Sequence, residues 1–348
     1  MLRDLTIAVV GATGAVGTEF LKILEERHPD ARRLKLLASR RSAGRTISVN
    51  GSQFQVEETT EDSFQGVDVA FISVSTEVSR KLAARAVDAG AVVIDDSSAF
   101  RLDPQVPLVA PEVNGADVEW HQGIISIPNC STTPLVMVAH PLRRLGGIVR
   151  IIADTYQSVS GAGGAAMTEL REQTRTLLDG GEVTAQALPD RIGFNVIPHI
   201  DSFLDSGYTR EEQKMIDETR KILHAPHIAL SATCVRVPVF ISHSAAVHIE
   251  FDRPVSPVNA REALEQMPGV RVLDDPAGGV YPMPCYAAGE DDVLVGRIRR
   301  DASHPNGLAL WVVSDNLRKG AALNSIQIAE ELVRRNCVKP KAGIKTVH

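Results

Sequence analysis

Short apolar runs alternate with amphipathic stretches over the first third of the chain. Residues 6–10 are apolar or β-branched throughout, the pattern of a strand buried on both faces. Residues 15–26 then set Val16, Phe20, Ile23 and Leu24 at helical spacing. Further apolar runs at 34–38, 67–73 and 91–95 read as strands, the last two separated by a helix pattern over 77–89. Apolar strands alternating with amphipathic helices predict an α/β fold with a doubly wound parallel sheet of Rossmann type.

The pattern changes near 124–128. A helix pattern follows Cys130. Longer stretches of alternation at 151–158, 232–239, 245–251, 293–298 and 308–314 predict an antiparallel sheet with one face packed. Helix patterns lie at 166–178, 210–223, 260–266 and 319–335. The reading is thus a first domain over 1–127, completed by a C-terminal helix over 319–337, and an α+β second domain over 128–318. The tail 338–348 is polar and basic and is expected to be poorly ordered.

Composition narrows the class. The chain has 348 residues, enough for two domains with their own cores. The formal net charge of −6 gives no support for nucleic-acid binding. The four cysteines, Cys130, Cys234, Cys285 and Cys337, are scattered without C-x-x-C or zinc spacing, so no metal site is expected. The first apolar run is broken by glycines and leads into a helix pattern, so it reads as a strand and not a signal peptide. No apolar stretch is long enough to span a bilayer. A cytoplasmic protein with reduced thiols, without membrane or nucleic-acid partners, is the expectation.

Two segments carry chemistry. Gly11-Ala12-Thr13-Gly14-Ala15-Val16-Gly17 follows a strand and opens a helix. Its glycines permit a tight turn and close approach to a pyrophosphate, and the helix N-terminus offers free N–H groups to that anion. The second strand ends in Ser39-Arg40-Arg41-Ser42, where a carboxylate would hold the ribose 2′-hydroxyl of NAD. Hydroxyls and guanidinium groups there suit a 2′-phosphate, and NADP is the expected cofactor. Which of Ser39, Arg40 and Arg41 makes the contact stays open. In Pro128-Asn129-Cys130-Ser131-Thr132-Thr133-Pro134, the hydroxyl residues suit an N-cap and Pro134 a first helical turn. Cys130 would then lie at a helix N-terminus, where the dipole favours its thiolate, the standard nucleophile for acyl transfer. The other cysteines read as small buried hydrophobes.

Residues 128–134 resemble the catalytic signature of aspartate-semialdehyde dehydrogenases. Residues 155–163, 234–244, 96–101, 195–199 and 315–324 resemble further segments of that family in the right order. The resemblance implies that Cys130 attacks an acyl phosphate, that His243 is the general acid/base, and that Gln157 orients the substrate. It implies Arg236 for the substrate carboxylate, Glu211 for its ammonium, and Arg101, Lys214 and Asn129 for phosphate. The nicotinamide end of the cofactor would lie near Ser160, Gly161 and Gly163, with Ser73 and Asn316 as further cofactor contacts. The reaction implied is NADPH-dependent conversion of L-aspartyl-4-phosphate to L-aspartate-4-semialdehyde, with phosphate released, for lysine, threonine and methionine synthesis. The second domain would be catalytic and would form a homodimer or a tetramer. The rivals are an N-acetyl-γ-glutamyl-phosphate reductase, which needs no ammonium site, the more distant glyceraldehyde-3-phosphate dehydrogenases, and a non-catalytic NADP sensor that leaves Cys130 and His243 idle.

Overall fold

A computed structural model describes residues 1–339; the tail expectation from residue 340 on lies outside them. The chain forms two compact units, residues 1–128 with the C-terminal segment from 321, and residues 129–320.

In the first unit the strands are β1 (Ile7–Val10), β2 (Leu34–Ala38), β3 (Thr46–Val49), β4 (Ser52–Glu58), β5 (Val69–Ile72), β6 (Val92–Asp95) and β7 (Ile124–Ser126). They form one seven-stranded sheet in the order β3-β4-β2-β1-β5-β6-β7, parallel except for the β3–β4 pair. Helices α1 (Ala15–Arg27) and α2 (Thr76–Asp88) make crossovers, and α3 (Pro111–Asn114) is a single turn. Side chains of the central strands alternate between two cores. Ile7, Val9, Val69 and Phe71 pack with α1 and the C-terminal helix Leu323–Arg334, while Ala8, Val10, Ala70 and Ile72 pack with α2. Burial on both faces is why these strands read as unbroken apolar runs. β2 and β5 flank β1 on opposite sides, so the strand order reverses at β1. The turn after β1 is therefore at the switch point where doubly wound sheets bind ligands.

The β3–β4 hairpin is absent from the pattern reading. Its turn is Asn50-Gly51, with φ of 50° and 72°, between Val49 and Ser52. Two positive φ values in a two-residue loop match the twist of the flanking strands, and Asn-Gly is the pair that accepts them.

The second unit holds α4 (Thr132–Leu142), β8 (Ile148–Gln157), α5 (Gly164–Leu178), α6 (Arg210–Ile222), β9 (Ala229–Arg236), β10 (His243–Phe251), α7 (Pro257–Glu265), β11 (Val270–Val272), α8 (Pro284–Ala287), β12 (Val293–Arg300) and β13 (Gly307–Ser314). The six strands run in the order β11-β12-β13-β10-β8-β9. The expected antiparallel pairing holds for β12–β13, β13–β10 and β10–β8, but β8–β9 and β11–β12 are parallel. The sheet is mixed because β8 and β9 are joined by a long crossover carrying α5 and α6, and such a connection returns the chain in the same direction. Among the described residues no helix is long and apolar enough to cross a membrane.

The Phe20 and Phe71 rings stack at 4.4 Å in the first core. Phe71→Ala is expected to lower the unfolding free energy by about 3–5 kcal/mol, read from the shift of the urea midpoint at unchanged m-value.

Candidate active site

Each unit carries a set of chemically distinctive groups. In the first, Gly11 has φ 88°, and a Cβ there would come 2.3 Å from the Ser73 carbonyl oxygen. A Cβ on Gly17 would come 2.2 Å from the Gly11 carbonyl oxygen. Around Gly14 the only atom within 4 Å of such a Cβ is that same carbonyl oxygen, at 3.2 Å, so the space over the turn is otherwise open. Gly14 is the N-cap of α1 and offers no side-chain cap. The N–H groups of Ala15, Val16 and Gly17 are the first of the helix and have no carbonyl in the preceding turn. Thr13 lies on the same turn. This is an anion cradle of bare backbone N–H groups and fits a pyrophosphate. Ser39, Arg40 and Arg41 follow β2 and are exposed, Ser42 is buried, and no carboxylate stands among them.

Ser73 follows β5, and its hydroxyl donates to Asp96 Oδ2 at 2.7 Å. Arg101, also of this unit, is buried and donates from Nη2 to the Asp96 carbonyl at 2.8 Å. Burial raises the Asp96 carboxyl above its usual range, against the lowering effect of the Ser73 hydroxyl and the Arg101 charge.

In the second unit Cys130 precedes α4. The hydroxyl caps expected there are absent. Ser131 stands at the N-cap but its side chain accepts no backbone N–H. Asn129 closes the turn instead: its Oδ1 accepts the Ser131 N–H at 2.8 Å and its carbonyl accepts those of Thr132 and Thr133 at 2.9 and 3.0 Å. This frees the Ser131 hydroxyl to accept Gln157 Nε2 at 2.8 Å. Gly320 backs the cysteine, for a Cβ there would lie 2.8 Å from Cys130 Cβ.

Helix α6 opens with a capping box in which Thr209 and Glu212 exchange hydrogen bonds. Glu211 follows in the first turn, where a carboxylate is favoured by the dipole, and Lys214 lies three residues on, on the same face. Buried Glu211 accepts Asn129 Nδ2 at 2.9 Å, Lys214 Nζ at 3.3 Å and Gln157 Nε2 at 3.4 Å. Lys214 also donates to Asp201 at 2.7 Å.

Arg236 ends β9. It is 6% exposed and donates from Nη1 to the Ser158 carbonyl at 2.8 Å. No carboxylate lies within ion-pair distance of it among the described residues. Burial depresses its pKa, opposed first by the charge of Cys130 and then by that of Glu211. His243 opens β10 and is buried. Its Nδ1 accepts the Ser158 N–H at 3.0 Å, while Nε2 is buried without a partner. Burial and the Arg236 charge push its pKa down to about 3. A Cβ on Gly161 would come 3.0 Å from both Arg236 Nη1 and His243 Nε2, so only glycine leaves these two groups uncovered. Ser160 donates to Asn316 Oδ1 at 3.1 Å. Gly163, with φ 88°, ends the short turn and begins α5.

Asn129, Gln157, Glu211 and Lys214 therefore form one hydrogen-bonded set, of which Asn129 is next to Cys130 in the chain. Arg236, His243, Ser160, Gly161 and Asn316 form another, joined to the first through the consecutive residues Gln157 and Ser158. Of the phosphate trio, Arg101 belongs to the first unit, and Asn129 and Lys214 to the second.

Residues 6–121 match the family model described as semialdehyde dehydrogenase, NAD binding domain, and residues 140–319 match semialdehyde dehydrogenase, dimerisation domain. An aspartate-semialdehyde dehydrogenase of Bacillus subtilis (strain 168) is 49% identical over 346 residues, covering 97% of this chain and 100% of that protein. The chain belongs to the aspartate-semialdehyde dehydrogenase family. Aspartate semialdehyde dehydrogenase II of Vibrio cholerae, solved in complex with ASA, superposes with a TM-score of 0.92 at 45% identity, covering 95% of this chain and 98% of that one. The Candida albicans aspartate semialdehyde dehydrogenase solved with NADP has a TM-score of 0.75 at 27% identity, covering 96% of this chain and 99% of that one. The aspartate-semialdehyde dehydrogenase family reduces aspartyl phosphate in amino-acid biosynthesis, and this chain is accordingly an oxidoreductase with a nicotinamide cofactor.

Sequence reading passed over several participants. Ser158 lies within the segment 155–163; its backbone N–H and its hydroxyl meet His243 Nδ1 at 3.0 and 3.1 Å, contacts with no sequence signal of their own. Asp201 sits at φ 67°, a conformation Asp tolerates, and nothing in the sequence pairs it with Lys214. Glu218, whose Oε2 accepts the Asn129 N–H at 2.7 Å, falls seven residues after Glu211 and so on its face of α6.

A pH dependence of stability follows from His243. Its pKa is lowered on folding from 6.5 to about 3, so between those values the unfolded chain holds the extra proton. His243 thus favours the native state above pH 6.5, and that contribution is lost progressively as pH falls towards 3. Unfolding free energies measured across this window are expected to fall less steeply for His243→Gln than for the natural chain.

Proposed function

We propose that reduction of aspartyl phosphate proceeds through a thioester on Cys130, with NADPH as reductant and a homodimer as the working unit. The observation that carries this reading is Arg236, a buried guanidinium with no ion-pair partner among the described residues, in the electrostatic field of Cys130. An uncompensated buried cation is costly unless an anion completes it, and the planar fork suits the substrate α-carboxylate. Glu211, already the meeting point of an ammonium and two amides, suits the substrate ammonium. Lys214, Asn129 and Arg101 are the cations and amide assigned to phosphate.

Cys130 attacks the acyl carbon as the thiolate, favoured by the start of α4 and by the Arg236 charge. Gln157, fixed by Ser131 and Thr155, orients the acyl group. His243 faces the reaction through Nε2, the general acid/base position implied by the family resemblance. The cofactor would be held by the Gly11–Gly17 turn with Thr13, Ala15 and Val16, by Ser73, and by Ser160, Gly161, Gly163 and Asn316; it supplies hydride to the thioester carbon. Ser39, Arg40, Arg41 and Ser42 support NADP over NAD, since they offer guanidinium and hydroxyl groups and no carboxylate. The open face of the second sheet supports the homodimer. Tyr156 and Trp311 meet there at 5.4 Å, Tyr156 is exposed, and the match to a dimerisation domain spans these strands. Sedimentation at the mass of a single chain would remove the dimer.

The deciding assay is reduction of NADP with L-aspartate-4-semialdehyde. Turnover is expected to require phosphate and to vanish in Cys130→Ala. Turnover with N-acetylglutamate semialdehyde alone would keep the mechanism and change the substrate; phosphate-independent turnover, or an active Cys130→Ala, would refute the thioester. Replacing Arg40 and Arg41 together by Gln is expected to raise the KM for NADP about tenfold or more, the loss of one charge-assisted contact, and to leave the KM for NAD nearly unchanged.

A further inference from the structure

The backbone bonds at the carboxyl ends of the first sheet's strands run in steps. The Gly11 N–H donates to the Leu37 carbonyl at 2.9 Å, that of Ser73 to the Val10 carbonyl at 3.1 Å and that of Asp96 to the Ile72 carbonyl at 2.9 Å. The ends of β2, β1, β5 and β6 therefore lie side by side in that order. The groups suited to a 2′-phosphate follow β2, and the pyrophosphate cradle follows β1. A dinucleotide laid across these ends has its adenosine half on the β2 side and its nicotinamide half over β5 and β6. Ser73 and Asp96 stand on that second side. The Ser73 carbonyl lies against the cradle, since a Cβ on Gly11 would come 2.3 Å from its oxygen. The part of the cofactor nearest Ser73 is then the sugar joined to the pyrophosphate.

The two consecutive acids at the end of β6 have different partners. Asp95 is fully buried, and both its carboxylate oxygens accept hydroxyls, Oδ1 from Ser79 and Oδ2 from Ser97. Asp96 is half-buried. Its Oδ2 accepts the Ser73 hydroxyl at 2.7 Å, and its Oδ1 has no hydrogen-bond partner among the described residues. The Ser73 hydroxyl has a single proton and directs it at Asp96, so its oxygen offers the crevice only lone pairs. A pyrophosphate, itself only an acceptor, gains nothing from such a pair of groups. A ribose diol matches it, with two neighbouring O–H donors for two neighbouring acceptors. Burial opposes ionisation of Asp96, while the Ser73 hydroxyl and the Arg101 charge favour it. Arg101 also donates to the Asp96 carbonyl at 2.8 Å, which keeps a cation beside this carboxylate.

We propose that Asp96 Oδ1 and Ser73 Oγ bind the hydroxyls of the nicotinamide-side ribose, with Arg101 offsetting the carboxylate's charge next to the pyrophosphate. The proposal rests on the reading of the Gly11–Gly17 turn as the seat of an NADP pyrophosphate. It gives Ser73, expected as a cofactor contact, a defined partner on the ligand, and it adds Asp96 to the cofactor site. Hydrogen-bonding a ribose hydroxyl to a carboxylate is the device that dinucleotide folds use on the adenosine side for NAD. Here the carboxylate is absent after β2 and present after β6.

Titration calorimetry of the intact enzyme with three ligands tests the contact. 2′,5′-ADP carries the adenosine half alone, 2′-phospho-ADP-ribose adds the second ribose, and NADP adds the nicotinamide. Asp96→Ala is expected to raise the Kd of 2′-phospho-ADP-ribose and of NADP about tenfold or more, the loss of a hydrogen bond to a charged group. The Kd of 2′,5′-ADP is expected to stay nearly unchanged. Ser73→Ala, which keeps the carboxylate, is expected to weaken the same two ligands by less, and it carries the test if Asp96→Ala does not fold. Equal weakening of all three ligands would make Asp96 a support of the Gly11 turn and overturn the ribose contact. Weakening of NADP alone would move the contact to the carboxamide and overturn it as well, and unchanged affinities would remove Asp96 from the cofactor site. Failure of the NADP reading is separate. If the natural enzyme binds 5′-AMP as tightly as 2′,5′-ADP, that reading falls, and the same comparison with 5′-AMP, ADP-ribose and NAD decides on Asp96.

Discussion

A guanidinium taken out of water without a carboxylate to meet it is the constraint on which the second unit depends. Arg236 is held by one backbone carbonyl, that of Ser158, and by the field of groups that carry or acquire negative charge. Such a cation lowers the pKa of the neighbouring imidazole and favours the thiolate of the neighbouring cysteine, so one buried charge has opposite effects on two groups. It also leaves an anion-shaped deficit. On the proposed function, an anionic substrate would complete this site, and its binding would coincide with assembly of the charges that the reaction uses.

The sheet makes this economical in residues. β8 brings Thr155 and Gln157 to the covered face, and Ser158 follows at its end. β9, parallel to it, ends at Arg236 in register with Gln157, and antiparallel β10 begins at His243 opposite Ser314, two residues before Asn316. Strand ends in register, a helix start with Cys130 before it, and the first turns of α6 thus gather at one edge of the sheet. Asn316 and Ser158 join three of these elements through hydrogen bonds alone.

Much of this was legible in the sequence. The Gly11–Gly17 turn could be read because a strand, three glycines and a helix pattern agree, and Cys130 because its neighbours are turn and helix-start residues. The Asn50-Gly51 hairpin carried a clear turn signal, but its strands are half exposed and short, and apolar periodicity alone does not find such strands. The parallel β8–β9 pairing could not be read, since alternation reports which faces are covered and not which way a strand runs. The turn before α4 is closed by Asn129 instead of the adjacent hydroxyls, and Ser131 accepts Gln157, a contact between residues far apart in the chain. Ser158 meets His243 partly through a backbone N–H, which every non-proline residue has, and partly through its hydroxyl.

The central claim is that Cys130 carries the acyl group. The most direct measurement mixes the enzyme with L-aspartyl-4-phosphate in the absence of NADPH, quenches in acid and maps the modified peptide by mass spectrometry. The account predicts one aspartyl group on the peptide containing Cys130, labile to hydroxylamine as a thioester is. An unmodified Cys130 peptide under conditions where the enzyme turns over with NADPH, or an acyl group on Cys234 or Cys285 in its place, would contradict it.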